Sequence, residues 1–277
     1  MTLREAITEA ASTISRRDAE TLLAHLLQQP RTALLAHPET LLNPAQIAFF
    51  TTLTTRRAAG EPLQYLTGTQ EFYGLTLRVT PAVLIPRPET ELLVEQVLLW
   101  ATAQPSTDTL HLADIGTGSG AIAIALATHL AAATVIAVDT SESALAIAQE
   151  NALAHHCADR IIFLQSDLLA GLDPATKPFD AIVSNPPYIP AGDATTMQRE
   201  VVNHEPHTAL FAGPDGLDIY RHLIPAAHKA LRKHGLLALE FGFGQRDALA
   251  ELLAPWHNVR FLDDYAGIPR IALAERP

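Results

Sequence analysis

Cysteine is almost absent from this chain: Cys157 is the only one in 277 residues, so no internal disulfide can form. Beside His155 and His156 it reads as a helix-end residue, not as a metal ligand. Twelve histidines contain no H-E-x-x-H pair, and His204-Glu205-Pro206-His207 has the wrong spacing and a helix-breaking proline. No metal is expected. Long apolar runs are missing too, since no uninterrupted stretch approaches the roughly 20 residues that a membrane helix needs. The first residues, Met1-Thr2-Leu3-Arg4-Glu5-Ala6, do not begin a long apolar targeting segment. The expectation is a cytoplasmic protein with no membrane contact. Excess positive charge is also lacking: the net charge is −11, which argues against a protein that binds chiefly by neutralising phosphates. Even residues 1–60, with six arginines against five carboxylates, are nearly balanced. No direct nucleic-acid specificity is expected. Internal repeats and low-complexity segments are absent.

What is present suits a two-part enzyme, because 277 residues exceed one typical domain and 48% hydrophobic content supplies a sizeable core. The first third reads as helices. Thr2-Leu3-Arg4-Glu5 is a capping-box pattern, Ala19 to Gln28 has apolar residues at helical spacing before Pro30, and Asn43-Pro44-Ala45-Gln46 combines an N-cap, a first-turn proline and a glutamine three residues on. Gly60 closes that helix. From Glu61 the texture changes, with a β-hairpin expected over Phe72 to Val79 and a rigid loop over Leu84 to Thr90. The expected organisation is a helical domain over 1–60, a connector over 61–90 and an α/β domain over 91–277. A helix through Trp100 and a polar break at Gln104 to Thr109 precede the first strand.

Leu110-His111-Leu112-Ala113 runs into Asp114-Ile115-Gly116-Thr117-Gly118-Ser119-Gly120, followed by the helix-like run Ala121 to Ala127. Strand, glycine loop and helix form a unit in which the backbone can approach a cofactor and the helix start offers unpaired N–H groups. Val135 to Asp139 is a second strand, ending about 20 residues after the loop in a carboxylate suited to two ribose hydroxyls. An adenosine cofactor is implied. The loop also satisfies the dinucleotide pattern G-x-G-x-x-A, so it does not identify the cofactor by itself. Further strands follow at Ile161 to Gln165, Phe179 to Ser184 and Leu236 to Phe241, and a helix from Asp215-Gly216-Leu217-Asp218 ends around Lys233 with Gly235 as its C-terminal cap. Val259 to Leu262 and Arg270 to Leu273 must pair antiparallel, because the link from Asp263 to Pro269 has no room for a crossover. Seven strands with one reversed resemble the class I S-adenosylmethionine (SAM) methyltransferases.

The most informative stretch is Asn185-Pro186-Pro187-Tyr188, directly after the apolar run Ala181 to Ser184. The Asn185 side-chain oxygen and the Pro186 carbonyl form an acceptor pair for an NH2 group, Pro187 biases Pro186 toward an extended backbone, and the face of Tyr188 can pack on a flat amide or base. That points to methylation of a planar nitrogen.

Over essentially its whole length the chain resembles the bacterial release-factor glutamine methyltransferases, the HemK/PrmC family. Besides Asp114 to Gly120 and Asn185 to Tyr188, the shared motifs include Tyr65-Leu66-Thr67-Gly68, Glu71-Phe72-Tyr73-Gly74, Ile85-Pro86-Arg87-Pro88-Glu89-Thr90-Glu91, Glu205-Pro206, Asp215-Gly216 and Asp264-Tyr265-Ala266-Gly267. The resemblance implies a helical N-terminal substrate-recognition domain, a hairpin linker and a class I methyltransferase domain. It further implies methyl transfer from SAM to the side-chain amide nitrogen of the glutamine in the Gly-Gly-Gln motif of class-one peptide chain release factors. Gly116, Thr117, Gly118, Ser119 and Gly120 would then line the methionine part of SAM, Asp139 its ribose, and Asp167 with Leu168 its adenine, and Asn185 would also touch the cofactor. Asn185, Pro186 and Tyr188 would carry the catalysis, with Pro187 beside them at the substrate. Where the family often has an aromatic residue after the third strand's acidic residue, this chain has Leu168, so adenine packing would be aliphatic. Asp114 either reaches the cofactor's ammonium or braces the loop; Arg87 and Glu89 either close over the site or form loop salt bridges. Two other readings fit the same acceptor motif: a nucleic-acid adenine N6-methyltransferase acting on a flipped base, and an inactive SAM-binding interaction protein.

Overall fold

The computed structural model describes residues 1–104, 109–173 and 176–277. Of the break expected over Gln104 to Thr109, residues 105–108 lie outside these. Contacts divide the chain into two units, Met1–Thr69 with Gln198–His204, and Gln70–Met197 with Glu205–Pro277.

The first unit is helical: α1 (Leu3–Ala10), α2 (Arg16–Leu27), α3 (Arg31–Ala36), α4 (Pro44–Ala58) and α5 (Leu63–Thr67). The capping boxes expected at Thr2 and Asn43 are both present, each pairing the cap side chain with the backbone N–H of Glu5 or Gln46 and the reverse. Helix α2 begins at Arg16, three residues before the apolar pattern starts, because Ser15 caps it by accepting from the Asp18 N–H. Leu3, Ile7, Leu22, Leu23, Leu34, Phe50 and Leu53 form the unit's core. Glu20, nearly buried, is held by Arg16 at 3.0 Å and Arg31 at 2.5 Å, and Arg57 reaches Asp18 at 2.8 Å and Glu200 at 3.0 Å.

The second unit opens with the expected hairpin, β1 (Thr69–Phe72) and β2 (Leu75–Arg78), and continues through α6 (Pro88–Thr102), β3 (His111–Ile115), α7 (Ala121–His129), β4 (Thr134–Asp139), α8 (Glu142–Ala154), β5 (Ile161–Gln165) and β6 (Phe179–Ser184). After the short helix α9 (Arg199–His204) of the first unit come α10 (Asp218–Ala230), β7 (Leu231–Glu240), α11 (Arg246–Leu252), β8 (His257–Asp263) and β9 (Pro269–Glu275). The seven-stranded sheet has the order β5-β4-β3-β6-β7-β9-β8. Every neighbouring pair is parallel except the two that involve β9. The turn between β8 and β9 is tight because Asp264 Oδ1 accepts from the N–H groups of Ala266 and Ile268 at 2.8 and 3.0 Å.

The hairpin starts at Thr69, three residues before the expected Phe72, and the boundary between α10 and β7 also differs from expectation. Helix α10 stops at Ala230, and Gly235 lies inside β7 instead of capping the helix. Leu231 already pairs with Phe179, and the register then shifts so that Leu236 pairs with Ala181. His234 takes a left-handed backbone at φ 60°, and Arg232 binds Asp180 at 2.5 Å across this bulge. The bulge lets the strand begin five residues early.

Helices cover both faces of the sheet, so its strands are apolar on both sides. Leu112, Val135, Val183, Leu236 and Ala238 pack under α6 and α7, while Ala113, Val138, Leu237 and Leu239 pack under α10 and α11. Period-two alternation therefore directs Asp114 and Glu240 to the first of these faces.

Gly120, at φ 82°, joins the glycine loop to α7 where that helix meets α8; a Cβ there would lie 2.9 Å from Ile124 Cδ1 and 3.1 Å from Ala148 Cβ. Gly120→Ala is expected to destabilise the protein by about 1 to 3 kcal/mol through backbone strain and overpacking together. Urea unfolding with an unchanged midpoint would contradict this account of the loop.

Candidate active site

The parallel strands β3, β4, β5 and β6 end along one edge, the place where open α/β sheets bind ligands. A cavity lies there, lined among others by Gly116, Gly118, Asp139, Asp167, Leu168, Asn185, Pro186 and Pro187. Eight of the residues expected from sequence are thus brought together. Thr117, Ser119 and Gly120 belong to the same loop but do not line the cavity, and neither does Tyr188.

Within the loop the glycines divide by task. A Cβ on Gly116 or Gly118 would meet nothing within 4 Å, so both leave open space for a ligand, whereas Gly120 is spent on helix packing. Thr117 donates its hydroxyl to Asp114 Oδ2 at 2.6 Å, and the Ala123 N–H reaches the same oxygen at 3.1 Å. Asp114 therefore braces the loop. It is fully buried, and its Oδ1 has no hydrogen-bond partner. Burial pushes its pKa up to about 7 against the lowering effect of the two hydrogen bonds. Asp139, at the end of β4, accepts from the Gly118 N–H and the Ser141 N–H at 2.9 Å each, one on each oxygen. A carboxylate held in this way keeps lone pairs for two further hydroxyl donors. After β5, Leu168 lines the cavity with a left-handed backbone at φ 49°, a conformation that costs a non-glycine residue about 1 to 2 kcal/mol. The donor set fits an adenosine cofactor.

Asn185 follows β6 directly. Its Nδ2 donates to Thr90 Oγ1 at 2.9 Å, and Thr90 donates to Glu240 Oε2 at 2.6 Å. Thr90 stands in the first turn of α6 and Glu240 closes β7, and both are buried. Its nitrogen is thereby engaged, and Asn185 is among the residues that line the cavity. Tyr188 is anchored behind this loop: its carbonyl accepts from Gln245 Nε2 at 2.8 Å, and its ring fills the space left by Gly242, where a Cβ would lie 2.9 Å from Cδ2. At Gly216, φ 74°, a Cβ would come within 2.1 Å of the same Tyr188 carbonyl oxygen, so only glycine fits. Arg87 forms a salt bridge at 2.6 Å with Glu205, whose other oxygen accepts from the Ile85 N–H at 3.2 Å, while Glu89 is exposed.

Thr90, Glu240, Gln245 and Glu205 support the site without having been assigned roles from sequence. Thr90, Glu205 and Gly216 lie in recognised motifs. Glu240 carried a signal of its own, a carboxylate at the end of the apolar run Leu236 to Leu239.

A mostly parallel seven-stranded sheet with one reversed strand, and a glycine loop opening onto a cavity at the strand ends, define a class I SAM-dependent methyltransferase. The same fold occurs in a T. thermophilus 16S rRNA methyltransferase solved in complex with AdoMet and guanosine, with a TM-score of 0.54, 22% identity, and coverage of 76% of this chain and 50% of that one. Residues 2–68 match the PrmC N-terminal domain model and residues 90–213 the methyltransferase small domain model. The release factor glutamine methyltransferase of Moorella thermoacetica is 46% identical over 286 residues, covering 100% of this chain and 99% of its own. That of Escherichia coli is 44% identical over 274 residues, covering 98% and 96%. The chain belongs to the release factor glutamine methyltransferase family.

Asp114 gives the site a pH signature. Its folded pKa, about 7, lies above the ordinary aspartate value, so between that value and 7 the folded state binds more protons than the unfolded one. Stability contributed by the neutral carboxyl is fully present at low pH and is lost as pH rises through 7. Asp114→Asn should therefore flatten the fall in urea midpoint between about pH 4 and 7, since an amide does not titrate. Glu240, also raised to about 7 by burial, leaves a residual slope. Identical slopes in the two proteins would exclude Asp114 as a source.

Proposed function

We propose that this chain transfers a methyl group from SAM to the side-chain amide nitrogen (N5) of the glutamine in the Gly-Gly-Gln motif of class-one peptide chain release factors, in the cytoplasm. The observation that carries the reading is Asn185 at the cavity wall with its Nδ2 committed to Thr90, which leaves Oδ1 as its free acceptor. Membership of the family supports the substrate. The net charge of −11 favours a protein substrate over a nucleic acid. Among the described residues no helix is long and apolar enough to cross a membrane.

Gly116 and Gly118 would take the methionine portion of the cofactor against their open backbone, Asp139 its ribose hydroxyls, and Asp167 with Leu168 its adenine. Thr117, Ser119 and Gly120 hold that loop in shape. When bound, SAM supplies an electrophilic methyl group on a sulfonium centre. The task left to the protein is the nucleophile, because an amide nitrogen shares its lone pair with the adjoining carbonyl. Asn185 Oδ1 and the Pro186 carbonyl each accept one N–H of the glutamine amide, stabilise positive charge as it develops on nitrogen, and orient the lone pair. No strong general base is needed, since the methylated nitrogen loses its proton readily. Pro187 keeps the Pro186 carbonyl in place, and Tyr188 with Gln245 anchors the loop from behind.

The helical domain over 1–60 supplies none of this chemistry. Selecting one glutamine among many requires surfaces remote from the reacting amide, so its role is docking of the release factor. Residues 61–90 form the connector, and 91–277 form the catalytic domain.

Labelled SAM, offered with intact release factor or with nucleic acid, tests the substrate. Label should enter the release factor alone; transfer to adenine would install the nucleic-acid reading, and transfer to neither would install the inactive one. In the same assay Asn185→Ala should lower turnover by roughly 100-fold or more, as loss of one preorganised hydrogen bond does in comparable sites. Near-normal turnover would remove Asn185 from the mechanism. For the cofactor, Asp139→Ala should weaken SAM binding, each charge-assisted hydrogen bond to the ribose contributing about 1.5 to 3 kcal/mol. Calorimetry showing wild-type affinity in the folded variant would reject the ribose assignment.

A further inference from the structure

The Asn185 amide has two ends, and catalysis of the kind proposed needs the oxygen, not the nitrogen, to face the substrate. Nothing in the local backbone selects between them, since the two ends are nearly equal in shape. The selection comes from two buried side chains. Thr90 Oγ1 lies 2.9 Å from Asn185 Nδ2 and 2.6 Å from Glu240 Oε2, and the hydroxyl has only one hydrogen to give. Ionised Glu240 is acceptor-only, so it takes that hydrogen. The hydroxyl oxygen must then accept, and only the NH2 end of Asn185 can donate to it. Neutral Glu240 permits the reverse: the acid donates to Thr90, Thr90 donates to the amide oxygen, and the amide turns its NH2 group to the cavity. Two N–H groups would then confront the NH2 of the incoming glutamine.

Resting on the proposed role of Asn185, we infer that Thr90 and Glu240 are positioning residues that set the orientation of the Asn185 amide, through a buried relay whose direction depends on the ionisation of Glu240. Three elements converge to build it: the first turn of α6, the end of β7 and the exit of β6. Neither Thr90 nor Glu240 lines the cavity, so neither meets substrate or cofactor directly.

The surroundings of Glu240 keep its charge in balance near neutrality. Burial raises its pKa to about 7, the Thr90 hydrogen bond and the Arg270 and Arg87 guanidinium groups lower it, and Glu89 raises it. Tyr188 and Tyr220 also face it, with hydroxyls that burial keeps protonated, and the Tyr220 hydroxyl donates to the Glu240 carbonyl at 2.7 Å. Among these facing groups the Glu240 side chain is thus the one whose protonation changes in the neutral range, while Asp114, which titrates in the same range, bonds Thr117 and Ala123 in the glycine loop and not Thr90. As pH falls through about 7 the acceptor orientation gives way to the mixed one, and turnover should fall with it.

The experiment compares the full-length protein with Thr90→Val, Thr90→Ser and Glu240→Gln, using SAM and intact release factor, with kcat measured from about pH 6 to 8.5 and SAM affinity measured separately. Wild type should show an acid limb with a midpoint near 7. Thr90→Val keeps the side-chain volume but cuts the relay, so it should lower kcat about 10- to 100-fold, leave SAM affinity unchanged and lose the limb. Thr90→Ser restores the hydroxyl and should recover both the rate and the limb. Glu240→Gln cannot titrate and should lose the same part of the limb that Thr90→Val loses, any slope that remains in both belonging to Asp114. Wild-type kcat in Thr90→Val, an undiminished wild-type acid limb in Glu240→Gln, or a Thr90→Val loss matched by equal loss of SAM affinity would each overturn the relay. Asn185→Ala separates the two levels of the argument: if it is inactive while Thr90→Val is normal, only the relay fails. If Asn185→Ala is itself fully active, the proposed role of Asn185 fails and takes the relay with it.

Discussion

Burial of both faces of one parallel sheet is the constraint on which the rest of this structure depends. With helices on either side, the inner stretches 112–113, 135–138, 181–183 and 236–239 are apolar on both faces of the sheet. The polar groups of the site therefore stand at the rim where these strands end. Asp114, Asp139, Asn185 and Glu240 all stand at that rim, each at or just beyond the last residues of its strand. The sheet's packing and the site's location have one cause.

The same confinement produces the two unusual carboxyls. Asp114 and Glu240 close strands whose alternation points them inward, under α7 and α6, where solvation is lost and ionisation is disfavoured. Each is compensated by a hydroxyl from a threonine on the neighbouring segment, Thr117 in one case and Thr90 in the other. One carboxyl holds the glycine loop and the other reaches the loop of Asn185, so two parts of the cavity wall depend on short, buried hydroxyl–carboxyl contacts. Asp139, which is only half-buried and already accepts two backbone N–H groups, has no such burden.

Much of this was legible in the sequence. The antiparallel pairing of the last two strands followed from a link too short for a crossover, and the capping boxes at Thr2 and Asn43 were local patterns that tertiary context did not override. The convergence of Gly116, Gly118, Asp139 and Asn185 on one cavity could be anticipated because each ends a strand of the same sheet. Illegible features were those fixed by contacts distant along the chain. The bulge that turns Gly235 into a strand residue depends on Asp180, the anchoring of Tyr188 on Gln245 and Gly216, and the orientation of Asn185 on Thr90 and Glu240. No periodicity or spacing encodes a hydrogen bond between residues 95 positions apart. Nor does a pattern reveal that Thr117 and Ser119 turn away from the space their glycine neighbours leave open.

The strand order has a consequence for how the sheet is completed. Among the described residues β8 pairs with β9 alone, and β9 also covers the flank of β7. The reversed strand is thus a bridge: β8 joins the sheet only through it, and the edge of β7 stays open until it is in place. A change that displaced β9 would free two strand edges at once, and unpaired edges of this kind favour association between chains.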